Sequence, residues 1–270
     1  MSQAPLGILD SGVGGLSVLR AIRQQLPYEA VIYLADQQHV PYGPRPLEEV
    51  RAFAEGITRF LIGQNAKLII VACNAASAAA LHYLRQQIPE MTFVGMEPAI
   101  KPAIDLTHSR RVGVLATPAT FRGALYISAV ERFAHDVTLF QATCPGLVTL
   151  IEQGDLDGPR PRAILEEALQ PMLSAGIDTI VLGCTHYPFV IPLIQAIAGP
   201  QVRVIDPAPA VARQVGRLLQ AQGAANPGPQ RGEIAFYTTG PASRLQELLP
   251  QLSDEDGKVS SLTWNGLQLA

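Results

Sequence analysis

The feature that most constrains this 270-residue chain is the rhythm of its apolar residues. They come in short continuous runs: Leu6–Leu9, Ala30–Ala35, Lys67–Cys73, Thr92–Met96, Arg111–Ala116, Asp178–Cys184 and Val202–Ile205. The runs are rich in Ile, Val and Leu and do not alternate with polar residues. Such runs suit strands buried on both faces, as in parallel sheets. Between them lie stretches with helical amphipathic spacing, namely Leu47–Ile62, Ala76–Gln87, Ala163–Ser174 and Ala208–Gln222. Strand alternating with helix predicts an α/β, doubly wound architecture with mainly parallel sheets. Composition agrees: 48% of residues are hydrophobic and only 16% charged, against about 25% charged in an average soluble domain.

The chain also resembles itself. Gly7-Ile8-Leu9-Asp10-Ser11 aligns with Gly113-Val114-Leu115-Ala116-Thr117. Leu68–Asn74 aligns with Thr179–Thr185, pairing Cys73 with Cys184, and Phe93–Ala99 aligns with Arg203–Ala208. Three matches in order, one sharing a cysteine, predict two pseudo-symmetric domains with a cleft between them. The boundaries fall near Glu97–Ile100 and Asp206–Ala208. The Gly- and Pro-containing segment Gly223–Gly232 reads as a loop or linker. Beyond it, Ile234–Thr238 reads as a strand and Ala242–Leu252 as a helix. This tail has no counterpart in the repeat and is expected to return to the first half. The expected domains are therefore residues 1–98 with 208–270, and residues 99–207.

Several function classes are disfavoured. A formal net charge of −3 gives no drive toward nucleic acid or an anionic membrane surface. No apolar run reaches the roughly 18 residues needed to span a bilayer, and Met1–Asp10 lacks the features of a signal peptide. Three cysteines, Cys73, Cys144 and Cys184, make no disulfide framework in a chain this long and suit a reducing compartment. The expectation is a cytoplasmic protein acting on a small molecule.

In open parallel sheets, ligands bind beyond the carboxyl ends of the strands. The residues at those ends are Asp10 and Ser11, Asp36, Cys73 and Asn74, Glu97, Thr117, Cys184 to His186, and Asp206. Cys73 and Cys184 each follow a buried strand and precede a predicted helix. Free N–H groups and the positive end of a helix would lower their thiol pKa. A cysteine alone reads equally as a small buried hydrophobe, which is how Cys144 is read; matched positions in a repeat point to chemistry. Two thiols facing one cleft suit removal of a proton from a carbon on one face and delivery on the other, which inverts a stereocentre. Such acid–base work needs groups whose pKa lies near the working pH. Of the three lysines, Lys67 begins its strand, and Lys101 and Lys258 sit in no cofactor context. That disfavours a pyridoxal Schiff base, and no cofactor or metal is expected. Asp10-Ser11-Gly12-Val13-Gly14-Gly15 lacks both the dinucleotide glycine pattern and the P-loop lysine. It reads as a loop whose amides hold a small carboxylate or ammonium ligand, or as a plain tight turn. His186 reads as a proton partner of Cys184, Pro41-Tyr42-Gly43 as a rigid loop beside a ligand, and Glu152 as a solvated helix-face residue.

Taken together, Asp10–Leu16, Pro41-Tyr42-Gly43, Val71-Ala72-Cys73-Asn74, Gly183-Cys184-Thr185-His186-Tyr187-Pro188 and Tyr237-Thr238-Thr239-Gly240 resemble the glutamate racemase family, in family order and over essentially the whole chain. The resemblance implies two α/β domains with the site between them, no cofactor, and interconversion of L- and D-glutamate for peptidoglycan. It implies that Cys73 acts on the D-enantiomer's α-proton with help from Asp10. Cys184 would act on the L-enantiomer's with help from His186, and Glu152 matches an acidic position near the second thiol. It further implies substrate contacts from Asp10, Ser11, Pro41, Tyr42, Gly43, Asn74, Thr117, Thr120, Thr185 and His186, and it allows a homodimer. One position departs: Ala75 stands where the family usually has threonine. That keeps open a related racemase acting on aspartate or another amino acid. A solute-binding protein and a cysteine hydrolase are the alternatives from other classes, and neither gives both cysteines a role.

Overall fold

The computed structural model describes residues 3–270. The first half opens with β1 (Leu6–Asp10), α1 (Leu16–Gln25), β2 (Val31–Ala35), α2 (Leu47–Gly63), β3 (Leu68–Val71), α3 (Asn74–Gln87) and β4 (Phe93–Gly95). It continues through α4 (Ile100–Leu106) into β5 (Arg111–Ala116), α5 (Pro118–Arg122), α6 (Ala124–Phe133) and β6 (Thr138–Ala142). Then come α7 (Leu147–Glu152), α8 (Pro159–Ser174), β7 (Thr179–Gly183), a 3₁₀ turn at Tyr187–Val190, α9 (Ile191–Ala198), β8 (Arg203–Ile205) and α10 (Ala208–Ala221). The tail carries β9 (Ile234–Thr238), α11 (Ala242–Leu252), β10 (Val259–Ser261), β11 (Trp264–Asn265) and β12 (Gln268–Leu269).

Two parallel sheets result. The larger runs β10-β9-β2-β1-β3-β4 and the smaller β6-β5-β7-β8. The order β2-β1-β3-β4 recurs as β6-β5-β7-β8, so β1 corresponds to β5 and β3 to β7, the pairs that the sequence repeat aligns. The tail strand β9 pairs with β2, Ala35 beside Thr238, and β11 and β12 form a small antiparallel hairpin. Every residue of β1, β2, β3 and β7 is buried, as strands covered on both faces by helices must be.

The helices bury the faces their spacing marks. In α2, Val50, Phe53, Ala54, Ile57 and Leu61 are buried, the i, i+3, i+4, i+7 stripe of a core-facing helix. One apolar cluster runs from Leu6, Ile8 and Leu16 of the first half to Leu115, Leu182 and Ile194 of the second. Separate clusters cover the outer faces of each sheet. β6 went unforeseen in the sequence because it is a half-exposed edge strand with mixed polarity. Its counterpart β2 is flanked by β9 and is wholly apolar or small. Among the described residues, no helix is long and apolar enough to cross a membrane.

Candidate active site

The strand ends of both sheets meet at a small cavity of about 20 Å³, room for about one water and far below the volume of an open ligand site. Its walls are Ser11 beyond β1; Pro41, Tyr42 and Gly43 from the loop after β2; Cys73, Asn74 and Ala75 at the β3–α3 junction; Thr117 beyond β5; Val148 on α7; and Cys184, Thr185 and His186 beyond β7. Both cysteines of the repeat therefore face one space. Asp10, Glu152 and Thr120 stand behind this lining. Thr120 is expected from the resemblance to touch substrate. Its hydroxyl donates to the Gly183 carbonyl at 3.2 Å and bonds Thr117 Oγ1 at 3.1 Å, which places it at the end of β7.

Cys73 caps α3: its Sγ accepts from the Ala76 N–H at 3.5 Å and lies 3.7 Å from Ser11 Oγ. The helix end does not lower its pKa as the sequence suggests. Burial pushes the thiol up, the nearby Asp10 charge adds to the rise, and the Ala76 and Ser11 contacts only soften it. A thiolate taken wholly out of water loses more than one helix terminus returns. Asp10 is fully buried, and burial raises its carboxyl to about 6 against the pull of His186, Gly12 and Thr185. Its Oδ1 accepts from the Gly12 N–H at 2.8 Å and lies 3.4 Å from Ser11 Oγ; its Oδ2 accepts from Thr185 Oγ1 at 3.0 Å. The Ser11 hydroxyl thus stands between Asp10 and Cys73.

Across the cavity, Cys184 Sγ lies 3.9 Å from His186 Nδ1, and His186 Nε2 lies 2.7 Å from Glu152 Oε1. A 3₁₀ turn follows Cys184 before α9 begins, so this cysteine is not at an α-helix start. Glu152 is 8% exposed, not the solvated residue its spacing suggests, because the fold brings α7 against the Asp10–Gly15 loop. Burial opposes the Glu152 charge, but bonds from His186, Gln37 and Val13 hold its carboxyl below the usual range. Burial likewise opposes the His186 charge; the Cys184 and Glu152 contacts outweigh it and hold the imidazole well above its usual pKa.

Part of the glycine loop is spent on structure. Its amides at Gly12 and Val13 are taken by Asp10 Oδ1 and Glu152 Oε1. Its glycines serve close approach: a Cβ at Gly12 would sit 1.9 Å from Glu152 Oε1, and one at Gly14 2.5 Å from His186 Nδ1. Asp36 is also spent on structure, accepting from Tyr42 OH at 2.5 Å, Thr239 Oγ1 at 2.6 Å and Trp264 Nε1 at 2.9 Å. Asp206 accepts from the Ala208 N–H at the start of α10. Cys144 is buried outside the lining. Burial raises its thiol to about 12, the nearby Cys184 charge adds to the rise, and a Tyr187 bond opposes it. Val148 and Gln37 carry no sequence signal; an apolar and an amide side chain become legible only by position.

A family model for Asp/Glu/hydantoin racemases matches residues 6–215. The chain belongs to this racemase family. It is 47% identical over 262 residues to a glutamate racemase of Pseudomonas aeruginosa, covering 97% of this chain and 98% of that one. It is 48% identical over 252 residues to one from a Roseiflexus species, covering 93% of each. Among solved structures, a Bacillus anthracis glutamate racemase superposes with TM-score 0.88 at 31% identity, covering 99% of this chain and 100% of that one. A Francisella tularensis glutamate racemase in complex with D-glutamate superposes with TM-score 0.85 at 27% identity, covering 97% and 98%. For this member of the racemase family, the arrangement offers two thiols at one small cavity, each backed by a different acid–base partner: a carboxyl reached through Ser11 and a carboxylate-bound imidazole.

Proposed function

We propose that the chain interconverts L- and D-glutamate by proton transfer between two cysteines, without a cofactor. One observation carries the reading: Cys73 and Cys184, from equivalent strand ends of two sheets, line the same cavity. One thiolate takes the α-proton and leaves its electron pair on the α-carbon, delocalised into the carboxylate. The opposite thiol gives its proton to the other face. The carbon is inverted, and the two sulfurs have exchanged protonation states.

Cys73 acts on D-glutamate and Cys184 on L-glutamate. Asp10 exchanges protons with Cys73 through Ser11, and His186, held charged by Glu152, serves Cys184. The α-ammonium of the bound amino acid supplies the positive charge that burial denies Cys73. Asn74 is 3% exposed, yet its Oδ1 and Nδ2 have no partner among the described residues. A buried amide left unpaired is costly, and a zwitterionic substrate supplies both an acceptor and a donor. Ser11, Pro41, Tyr42, Gly43, Thr117, Thr185 and His186 complete the contacts. Residues 1–98 with 208–270 and residues 99–207 act as two domains around the substrate. The enzyme works in the cytoplasm, alone or as a homodimer, needs neither nucleic acid nor membrane, and supplies D-glutamate for peptidoglycan.

The test is incubation with L- or D-glutamate in heavy water with no cofactor added, followed by circular dichroism and the α-proton NMR signal. Loss of optical activity with deuterium uptake, abolished in Cys73→Ala and Cys184→Ala, is expected. Unchanged glutamate would overturn the reading. Turnover of aspartate instead would transfer it to the related racemase that Ala75 allows, and Ala75→Thr is then expected to shift preference toward glutamate.

A further inference from the structure

Glu152 presents two oxygens to two different structures. Oε1 is occupied by the His186 ring at 2.7 Å and the Val13 N–H at 2.7 Å. Oε2 accepts from Gln37 Nε2 at 3.0 Å. Gln37 is itself held: its Oε1 accepts from Thr238 Oγ1 at 2.8 Å, and Thr238 Oγ1 in turn accepts the Gly240 N–H at 3.0 Å. The acceptor-only Glu152 carboxylate fixes the orientation of the amide: the Gln37 amino group must face it, and the Gln37 carbonyl then takes the Thr238 hydroxyl hydrogen while the Thr238 oxygen still accepts from Gly240. An amino group pointing at a carboxyl oxygen favours its ionised form and has no place for a proton there. The backbone supports the same arrangement. Register pairs Ala35 with Thr238, which sets Gln37 opposite the end of β9, and a Cβ at Gly240 would come 3.1 Å from the Gln37 Cβ.

We infer that Gln37, locked by Thr238 of the tail strand, is a positioning residue for the second proton-transfer arm, acting through Glu152 and His186 on Cys184 and not on Cys73. The tail strand thereby takes part in the chemistry of the opposite half. The inference rests on the two-cysteine reading above. Other charged groups near Glu152 do not substitute for Gln37. Asp10 repels the carboxylate, and Arg244 donates to the Glu152 main-chain carbonyl at 3.1 Å.

The experiment compares α-deuterium isotope effects on kcat/KM in the two directions. In Gln37→Met the donor is lost at similar size, and turnover falls about tenfold, the effect of losing one hydrogen bond to a charged group. A slower Cys184 step makes deuteron removal from [2-²H]L-glutamate more rate-limiting, so that isotope effect rises. With [2-²H]D-glutamate the deuteron leaves to Cys73 before the slow step, so that isotope effect shrinks. Thr238→Val is expected to show the same asymmetry more weakly, and Thr238→Ser, which keeps the hydroxyl, to restore the wild-type values. A general loosening of the fold would move both directions together. Equal isotope effects in both directions for Gln37→Met and Thr238→Val, with Cys184→Ala inactive, would overturn the role of Gln37 while leaving the two-cysteine reading intact. Racemisation by Cys184→Ala would overturn both.

Discussion

Gly14 owes its place to what lies across the cleft. The sequence around it reads as a turn or a ligand loop, whereas the structure fills the space above its α-carbon with His186 and Thr185. Gly14→Ala would place a Cβ 2.6 Å from Thr185 Oγ1 and 2.5 Å from His186 Nδ1, displacing both. A displacement of about 1 Å at a catalytic group can cost about 10²-fold. Gly14→Ala is therefore expected to lose about that much kcat while its circular dichroism spectrum stays native, and near-normal turnover would refute the packing argument. Asp10 gives a pH prediction. Burial raises its carboxyl to about 6, and under the proposed two-cysteine mechanism it can take a proton from Cys73 only when ionised. Turnover should fall as pH drops through about 6, and Asp10→Asn should be slow and lack that limb in a pH–rate profile. Both cysteines were legible from their place in the repeat. The direction of the Cys73 shift was not, because burial is a property of the closed cleft rather than of the β3–α3 junction.

Among the elements, the buried strands and long helices were readable because each carries one unmixed signal. The 223–232 segment reads as a loop or linker and carries no helix or strand, but nothing in it signals that it is pinned to the base of the first half. Asn226 N–H donates to Glu29 Oε1 at 2.7 Å, Gly232 N–H to the Pro27 carbonyl at 3.0 Å, and Lys67 Nζ to the Ala224 carbonyl at 2.8 Å. Lys67 and Glu29 also pair at 2.6 Å with almost no exposure. Removing one member of a buried ion pair costs about 3–5 kcal/mol. Glu29→Ala is expected to lower stability by about 3 kcal/mol in thermal denaturation and to open residues 223–232 to limited proteolysis. A variant as stable and as resistant as the natural chain would show the segment to be merely resting there. The short strands β10, β11 and β12 escaped sequence reading for a similar reason. Two or three residues hold no periodicity, and Trp264 is placed by Asp36 and not by its neighbours in the chain.

In the whole molecule, the two halves share one apolar cluster and close over the cavity. The Ala119 N–H on α5 donates across the mouth to the Gly43 carbonyl at 3.1 Å, and a Cβ at Gly43 would come 2.6 Å from Thr117 Cβ. A ligand gripping both halves must therefore be admitted by opening and then hold them shut. Glutamate at about 100 times its Kd should stabilise the fold by about 2.7 kcal/mol, about 5–10 °C in Tm for a chain of this size, and should slow hydrogen exchange at the Ala119 amide. Stabilisation without slowed exchange at Ala119 would place the closing contact elsewhere. The order of residues alone carries the architecture, the internal repeat and the matched placement of Cys73 and Cys184. Apolar periodicity, glycine spacing and a paired cysteine are all local patterns, and they survive without knowledge of contacts. Which groups surround those cysteines came from tertiary packing. Glu152 became a buried partner of His186, the loop glycines became spacers, and Gln37 in the turn after β2 and Thr238 at the end of β9 came to bear on a helix of the other half. Glu152 and His186 lie 34 residues apart, and the other contacts join segments more than a hundred residues apart along the chain, separations that no local pattern encodes.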